Sequence, residues 1–594
     1  MRRANGPKAA VPLNGAGRDG VPATKMSAYT EDSGFIQGTQ VRRMTEPALI
    51  SEAVAEGYQA LARGGWVKAR SCFDSALASN SGPAALEGLS WVHWWQEDLA
   101  ACLATREQAY RDYHAAGDSH GAARMAAWIG DDHLWFAGKP AIAEGWFARS
   151  RRLLDGLDEA PEHGWLAVFD AYLALRSQQL DTARTLVHEA QRIGQTHGAV
   201  GLQMFAVAME GVVLLERGEI AAGMRCLDEA ATAALAGEYE ELVPAVWSCC
   251  LLLTACEELR DDERGGQWSQ QIGAFSKRLG VPFVVGNCRS HYGRILTRRG
   301  SWQDAEQELV TAVDRLPNGP QAWRADALAR LGDLRRRQGR HAEARQAFEA
   351  AGEHWFAQAG LAALHLDADD AAGAAILAER TLRQLPATSP KRADALEVAV
   401  RARLALEAPD TAAGYARELC HLAATVGTSS LVATARLCEA RLALADGNAE
   451  LAAQHCADAV ASFDRAGTPF EAALARLELA QALTSTACSE LAVVETRRAW
   501  ATLDELEATS EADRATALLA ELATDDTPPE PCPLTRRQLE ILKLAAEGLT
   551  ERQVAKHLVL SEHTVHRHLA NIYTRLDCSS RAAAVAQAGR LGLL

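Results

Sequence analysis

Between about residues 46 and 523 the apolar positions follow a helical period, and one spacing recurs: a small residue, a larger one four positions on, and a small one three further. It is found as Ala69-Phe73-Ala76, Ala143-Phe147-Ser150, Ala183-Val187-Ala190, Gly223-Leu227-Ala230, Ala305-Leu309-Ala312, Ala344-Phe348-Ala351, Ala452-Cys456-Ala459 and Ala492-Thr496-Ala499. Among neighbouring copies, intervals of 40, 40, 82, 39 and 40 residues recur. Steps of four and three place each trio on one helix face, where small side chains let another helix approach closely. Glycines precede several copies, as in Gly65-Trp66, Gly300-Ser301-Trp302 and Gly339-Arg340, and turn the chain between two helices. The pattern predicts a solenoid of about ten or eleven helical hairpins with a curved surface. Degenerate copies are expected near Gly265–Ile272 and between Ala374 and Cys420.

The pattern changes over the last sixty residues. Thr535 and Gln538 have capping-box spacing, flanked by Leu534 and Leu539 as a hydrophobic staple, and Gly548 closes this first helix. Thr550 and Gln553 repeat the box before a very short helix with Val554, Ala555 and Leu558 inward. Ser561 caps a third, whose apolar positions Val565, Leu569, Ile572 and Leu576 fall at steps of four, three and four. Its other face carries His563, His566, Arg567, Ala570 and Asn571. Ser579 or Ser580 caps a fourth helix with Ala583, Val585 and Ala586. Two short helices joined by a tight turn, the second exposing polar side chains, predict a helix-turn-helix with a recognition helix for the major groove of double-stranded DNA. The candidate DNA contacts are Thr550, Lys556, Ser561, Thr564, Val565, His566, Arg567, His568, Ala570, Asn571 and Arg575. For His568 an inward packing role stands beside phosphate contact.

These residues resemble the LuxR-type helix-turn-helix regulators. The matching pattern is Leu534-Thr535, Leu542, Ala545-x-x-Gly548-Leu549-Thr550, Val554-Ala555, Leu558, Ser561-x-x-Thr564-Val565-x-x-His568, Asn571-Ile572, Leu576 and Ser580-Arg581. Arg536, Gln538 and Asp577 depart from it, standing where Pro, Glu and Gly are common. The resemblance implies that Thr564, His566, Arg567 and Ala570 face the groove. It also implies that the fourth helix, through Ala583, Val585 and Ala586, pairs two heads as a homodimer on a two-fold site. Arg567 is the best base reader, since a guanidinium can make a bidentate contact to guanine. The repeated trio resembles the second helix of tetratricopeptide repeats, at a period nearer 40 than 34.

The net charge of −16 would argue against a nucleic-acid partner, but residues 533–594 carry +4 and the remainder −20. A basic head hangs from an acidic body, so DNA affinity should require a dimer and fall steeply with salt. Residues 1–45, rich in Gly, Pro and small residues, predict a disordered arm. Residues 524–533, TDDTPPEPCP, predict a stiff linker. The thirteen cysteines lack CxxC or zinc spacing and are expected to be reduced core residues. Asp131-Asp132-His133 and Asp261-Asp262-Glu263 suggest no metal site or acid chemistry without a completing ligand, and are expected in charged turns between helices. Trp94, Trp95, Trp128 and Trp135 belong to an aromatic-rich first third, where they either fill the repeat core or line an effector groove.

The expected fold is therefore all-α: a TPR-like helical-hairpin solenoid at 46–523, followed by a four-helix LuxR-type head at 534–594. No GxxxxGK[ST] run occurs, so the ATPase core of the large members of this regulator group is absent. The layout implies a cytoplasmic transcription regulator, not an enzyme, with no cofactor, metal or membrane partner. Its partners would be DNA, an effector or protein held by the solenoid, and RNA polymerase. The competing expectation is an interaction scaffold with a vestigial helix-turn-helix.

Overall fold

The computed structural model describes residues 52–590 apart from 80–81, 280–285, 315–320, 487, 524–533, 559, 577 and 579. The expected arm at 1–45 and linker at 524–533 lie outside the described residues. Those described form twenty-nine helices and no strand, from α1 (Glu52–Ala62) to α29 (Arg581–Arg590). None of these helices is long and apolar enough to cross a membrane.

The first twenty-five helices, ending with α25 (Thr509–Ala523), are antiparallel hairpins stacked on their neighbours. This is a TPR-like solenoid of twelve pairs and a closing helix, rather than ten or eleven pairs. The recurring trio explains the stacking. Phe73 of α2 (Trp66–Ala78) is fully buried between glycines of two other helices. A Cβ on Gly57 of α1 would come within 2.5 Å of its ring, and one on Gly88 of α3 (Pro83–Trp95) within 2.2 Å. Phe348 sits likewise against Gly332 and Gly360. The large central residue is thus a knob that enters notches on the helix before and the helix after.

All twelve second helices carry the trio. Of the four not seen as clear copies, Gly265-Ser269-Ile272, Ala374-Ala378-Thr381 and Ala412-Ala416-Leu419 lie where degenerate copies are expected, and Cys102-Arg106-Ala109 is new; all are buried. In three of them the central residue has shrunk to Ser or Ala, so the spacing persists without its large marker. In the fourth it is Arg106.

The solenoid also closes on itself. Glu471 of α23 (Pro469–Ser485) accepts hydrogen bonds from Arg298, ending α13 (Gly286–Arg298), and from Arg337, ending α15 (Gln321–Arg337), at 3.2 and 2.9 Å. Thr428 donates to the Leu259 carbonyl at 2.8 Å, and Arg260 to Thr434 at 3.1 Å. Each link spans more than a hundred residues of chain.

One open alternative is decided here and two sequence expectations are corrected. Trp94, Trp95 and Trp128 are buried and interlocked, with Trp94 and Trp95 at 4.9 Å and Trp91 and Trp128 at 4.9 Å between ring centroids. They fill the core; only Trp135 of the four is half-buried. Asp131, Asp132 and His133 are buried inside α5 (Ser119–Trp135), not in a turn, because Asp132 pairs with Arg106. Cys250 is disulfide-bonded, whereas ten other described cysteines are free; without CxxC spacing this pairing leaves no mark on the sequence.

Candidate nucleic-acid interface

Four helices form the head: α26 (Arg536–Ala546), α27 (Glu551–Leu558), α28 (Glu562–Arg575) and α29. Both capping boxes are present. The Gln538 amide N–H donates to Thr535 Oγ1 at 3.0 Å and the Thr535 N–H to Gln538 Oε1 at 3.1 Å. The Thr550 N–H reaches Gln553 Oε1 at 2.8 Å. Ser561 Oγ accepts from the Thr564 N–H at 3.0 Å and starts α28. Gly548 has φ 88°, a left-handed turn that ends the first helix. Leu534, Ile541, Leu542, Val554, Ala555, Val565, Leu569, Ile572, Leu576, Ala584 and Ala588 make one small core. Arg581 donates to the Ala545 and Leu549 carbonyls, tying α29 to the end of α26.

This core turns one face of α28 outward. His563, His566, Arg567, Ala570 and Asn571 are exposed, with Thr564 half-buried beside them. Thr550, Lys556, Ser561 and Arg575 are exposed around this face. Val565 belongs elsewhere: its side chain is wholly buried in the head core, because it lies on the apolar stripe with Leu569 and Ile572. His568 is half-buried, and burial, with Arg567 and Arg537 alongside, holds its imidazole below the ordinary value. On α29, Ala583 and Val585 are half-buried and Ala586 is exposed, while Ala584 and Ala588 face inward.

Two exposed arginines of α28 already have partners. Arg567 pairs with Glu507, in the turn between α24 (Ser489–Glu505) and α25, and Arg575 pairs with Asp504 at the end of α24. The Arg575 guanidinium also stands 5.9 Å from the Trp500 ring centroid. Burial raises the Glu507 carboxyl against the pull of Arg567, and nearby Asp504 adds to the rise. His566 reaches Glu551 at 3.1 Å within the head. The acidic corner at 504–507 was not picked out from the sequence; its DELE run is unexceptional until the fold brings it to α28.

Fold and site together define a helical-repeat body carrying a helix-turn-helix head. Residues 532–588 match the family of bacterial regulatory proteins of the luxR type, GerE, and the head is a LuxR-type helix-turn-helix. Over 57 residues the chain is 44% identical to the transcriptional regulatory protein LiaR of Bacillus subtilis (strain 168), covering 10% of this chain and 27% of LiaR. Over 61 residues it is 44% identical to the quorum sensing-dependent regulator RpaR of Rhodopseudomonas palustris, 10% and 25% of the two chains. It is 36% identical over 61 residues to the regulator AlkS of Alcanivorax borkumensis, 10% and 7%. The chain thus spans about a quarter or less of these relatives, all within the head. A slight likeness, TM-score 0.40 at 12% identity, relates 82% of the chain to 92% of a chain in the crystal structure of the APC/C hetero-tetramer Cut9-Hcn1.

Proposed function

We propose that the protein is a transcription regulator that binds double-stranded DNA sequence-specifically through α28, with Arg567 as principal base reader and Thr564, His566, Ala570 and Asn571 beside it. Thr550, Lys556, Ser561 and Arg575 contact the phosphates, and α29 pairs two heads through Ala583, Val585 and Ala586. The repeat body senses an effector or protein partner and controls access to the head. The observation that carries this reading is the Arg567–Glu507 pair: the side chain best suited to guanine is held by a carboxylate of the body. A carboxylate and a DNA base cannot occupy that guanidinium together, so release from the acidic corner is coupled to DNA binding.

The test is genome-wide DNA capture with the full chain beside Arg567→Ala and Glu507→Gly. The expected result is a short inverted repeat enriched by the wild type, enriched further by Glu507→Gly and lost with Arg567→Ala. No enrichment by either the wild type or the Glu507→Gly chain would overturn the reading.

A further inference from the structure

Arg106 occupies the central position of its trio, where most other hairpins place Phe, Leu, Val or another uncharged residue. It is fully buried, stacked 4.1 Å from the Trp91 ring centroid, and donates to Asp132 at 2.8 Å and to the Trp128 carbonyl at 3.2 Å. Asp131, next along α5, is 1% exposed, and neither carboxylate oxygen has a hydrogen-bond partner. This interior cluster therefore holds two carboxyls against one guanidinium. Burial pushes Asp132 up to about 6, although Arg106 opposes it, and pushes Asp131 well above the usual carboxylate range. Unpaired carboxylates are costly inside proteins, and native ones have a reason to be there.

The surroundings of Asp131 suggest that reason. It lies three residues after Trp128 and four before Trp135, one helical turn from each. Its charge also helps raise the Tyr172 phenol, which burial brings to about 12. Tyr172 of α7 (Pro161–Arg176) lies 4.3 Å from Trp135 between ring centroids. Trp323 of α15 reaches Trp135 at 5.9 Å and Phe136 at 5.3 Å between ring centroids. Trp135, Phe136, Tyr172 and Trp323 are only half-buried, so the aromatic cluster is partly open, whereas Asp131 is buried. Arg176 and Lys391 also lie near the Tyr172 hydroxyl, and Lys391 is paired with Glu258 at 2.8 Å. Aromatic faces near an uncompensated carboxylate favour a cation.

We propose that Asp131, one helical turn from Trp135 and near Tyr172, is the counter-charge of a binding site for a small organic cation, an alkylammonium or quaternary ammonium compound, with Trp135, Tyr172 and Trp323 as its aromatic side. Such a ligand supplies the positive charge that the interior lacks and stacks on the indole faces. The site rests on the preceding reading only in its role as effector; binding itself is independent of DNA.

The full-length protein is titrated with choline, tetramethylammonium, n-butylamine and putrescine while tryptophan fluorescence is recorded, with 3,3-dimethylbutan-1-ol as the uncharged analogue of choline. Saturable binding of at least one cation, none of the alcohol, and affinity at least about tenfold weaker in Asp131→Asn are expected. Trp323→Leu, on a different helix, weakens the same cation. Asp131→Asn also raises the melting temperature of the ligand-free protein, the opposite of what loss of a structural residue does. The site is overturned if no cation binds below about 10 mM, if the alcohol binds as well, or if neither variant weakens binding. A cation that binds as expected yet leaves DNA affinity unchanged keeps the site and removes the effector role from the proposed function.

Discussion

Arg567, on the exposed face of α28, is paired with Glu507, sixty residues earlier in the turn between α24 and α25. Glu507 holds a φ of 62°, a left-handed conformation that costs a non-glycine residue and that glycine adopts freely. Both side chains are about half exposed, so solvent screens the pair and it contributes at most about 1 kcal/mol. Glu507→Gly should therefore raise the DNA affinity of the full chain by up to about fivefold, measured by anisotropy with a captured DNA site. An unchanged or lower affinity would contradict masking by the acidic corner.

Arg567 and Lys556 should fail differently. Arg567→Ala removes a contact expected to discriminate bases by about 1–3 kcal/mol and should flatten sequence preference. Lys556→Ala should weaken binding to all DNA alike and lower the salt slope by about one. Binding isotherms on the selected and a scrambled duplex, each over a range of salt, separate the two; identical behaviour would displace α28 as the reading helix.

Glycines in the body should divide by what stands opposite them. A Cβ on Gly360 would meet the Phe348 ring at 2.3 Å, whereas one on Gly145, inside α6 (Pro140–Leu154), would meet nothing within 4 Å. Gly360→Ala should destabilise by about 1–3 kcal/mol through overpacking. Gly145→Ala should stabilise by about 0.5–1 kcal/mol through helix propensity. Chemical denaturation of the two variants checks both signs.

The carboxyl of Asp131 gives a pH dependence of known sign. Its folded pKa lies above the unfolded value, so the folded protein holds this proton more tightly. The group does no harm below about pH 4, its unfolded range, and costs stability as pH rises through and beyond it. The gain in melting temperature from Asp131→Asn should accordingly be larger at pH 8 than at pH 5. A gain independent of pH would contradict a folded-state proton affinity of Asp131 raised into this range.

Much of this was legible in the sequence, and the limits follow from the physics. Capping at Thr535, Thr550 and Ser561 is local, so short-range spacing alone located the head helices. Phe73 and Phe348 announced their hairpins because a bulky knob between small residues is conspicuous. Arg106 hid its hairpin because a buried guanidinium looks, in sequence, like any surface arginine. Val565 stands among exposed neighbours in the sequence, but its own 3.6-residue stripe turns it inward. The links from Glu471 to Arg298 and Arg337 and from Arg567 to Glu507 join residues far apart in the chain, and no periodicity encodes them.

Because the coils touch, the distance between two points along the chain is a poor guide to how strongly they are linked. In an open solenoid a disturbance passes from repeat to repeat, and one at Trp135 would cross some nineteen helices to reach α24. Here a single rod makes the journey. At one end α15 carries Trp323 against Trp135, and at the other Arg337 grips Glu471 while the Gln338 carbonyl just beyond accepts a hydrogen bond from Thr509 at 2.9 Å. Thr509 is two residues from Glu507. The helix spans roughly 25 Å, and its two ends touch the aromatic cluster and the turn that carries Glu507. Trp323→Leu, remote from the head, is then expected to shift DNA affinity in the full chain; an affinity identical to wild type would disconnect them.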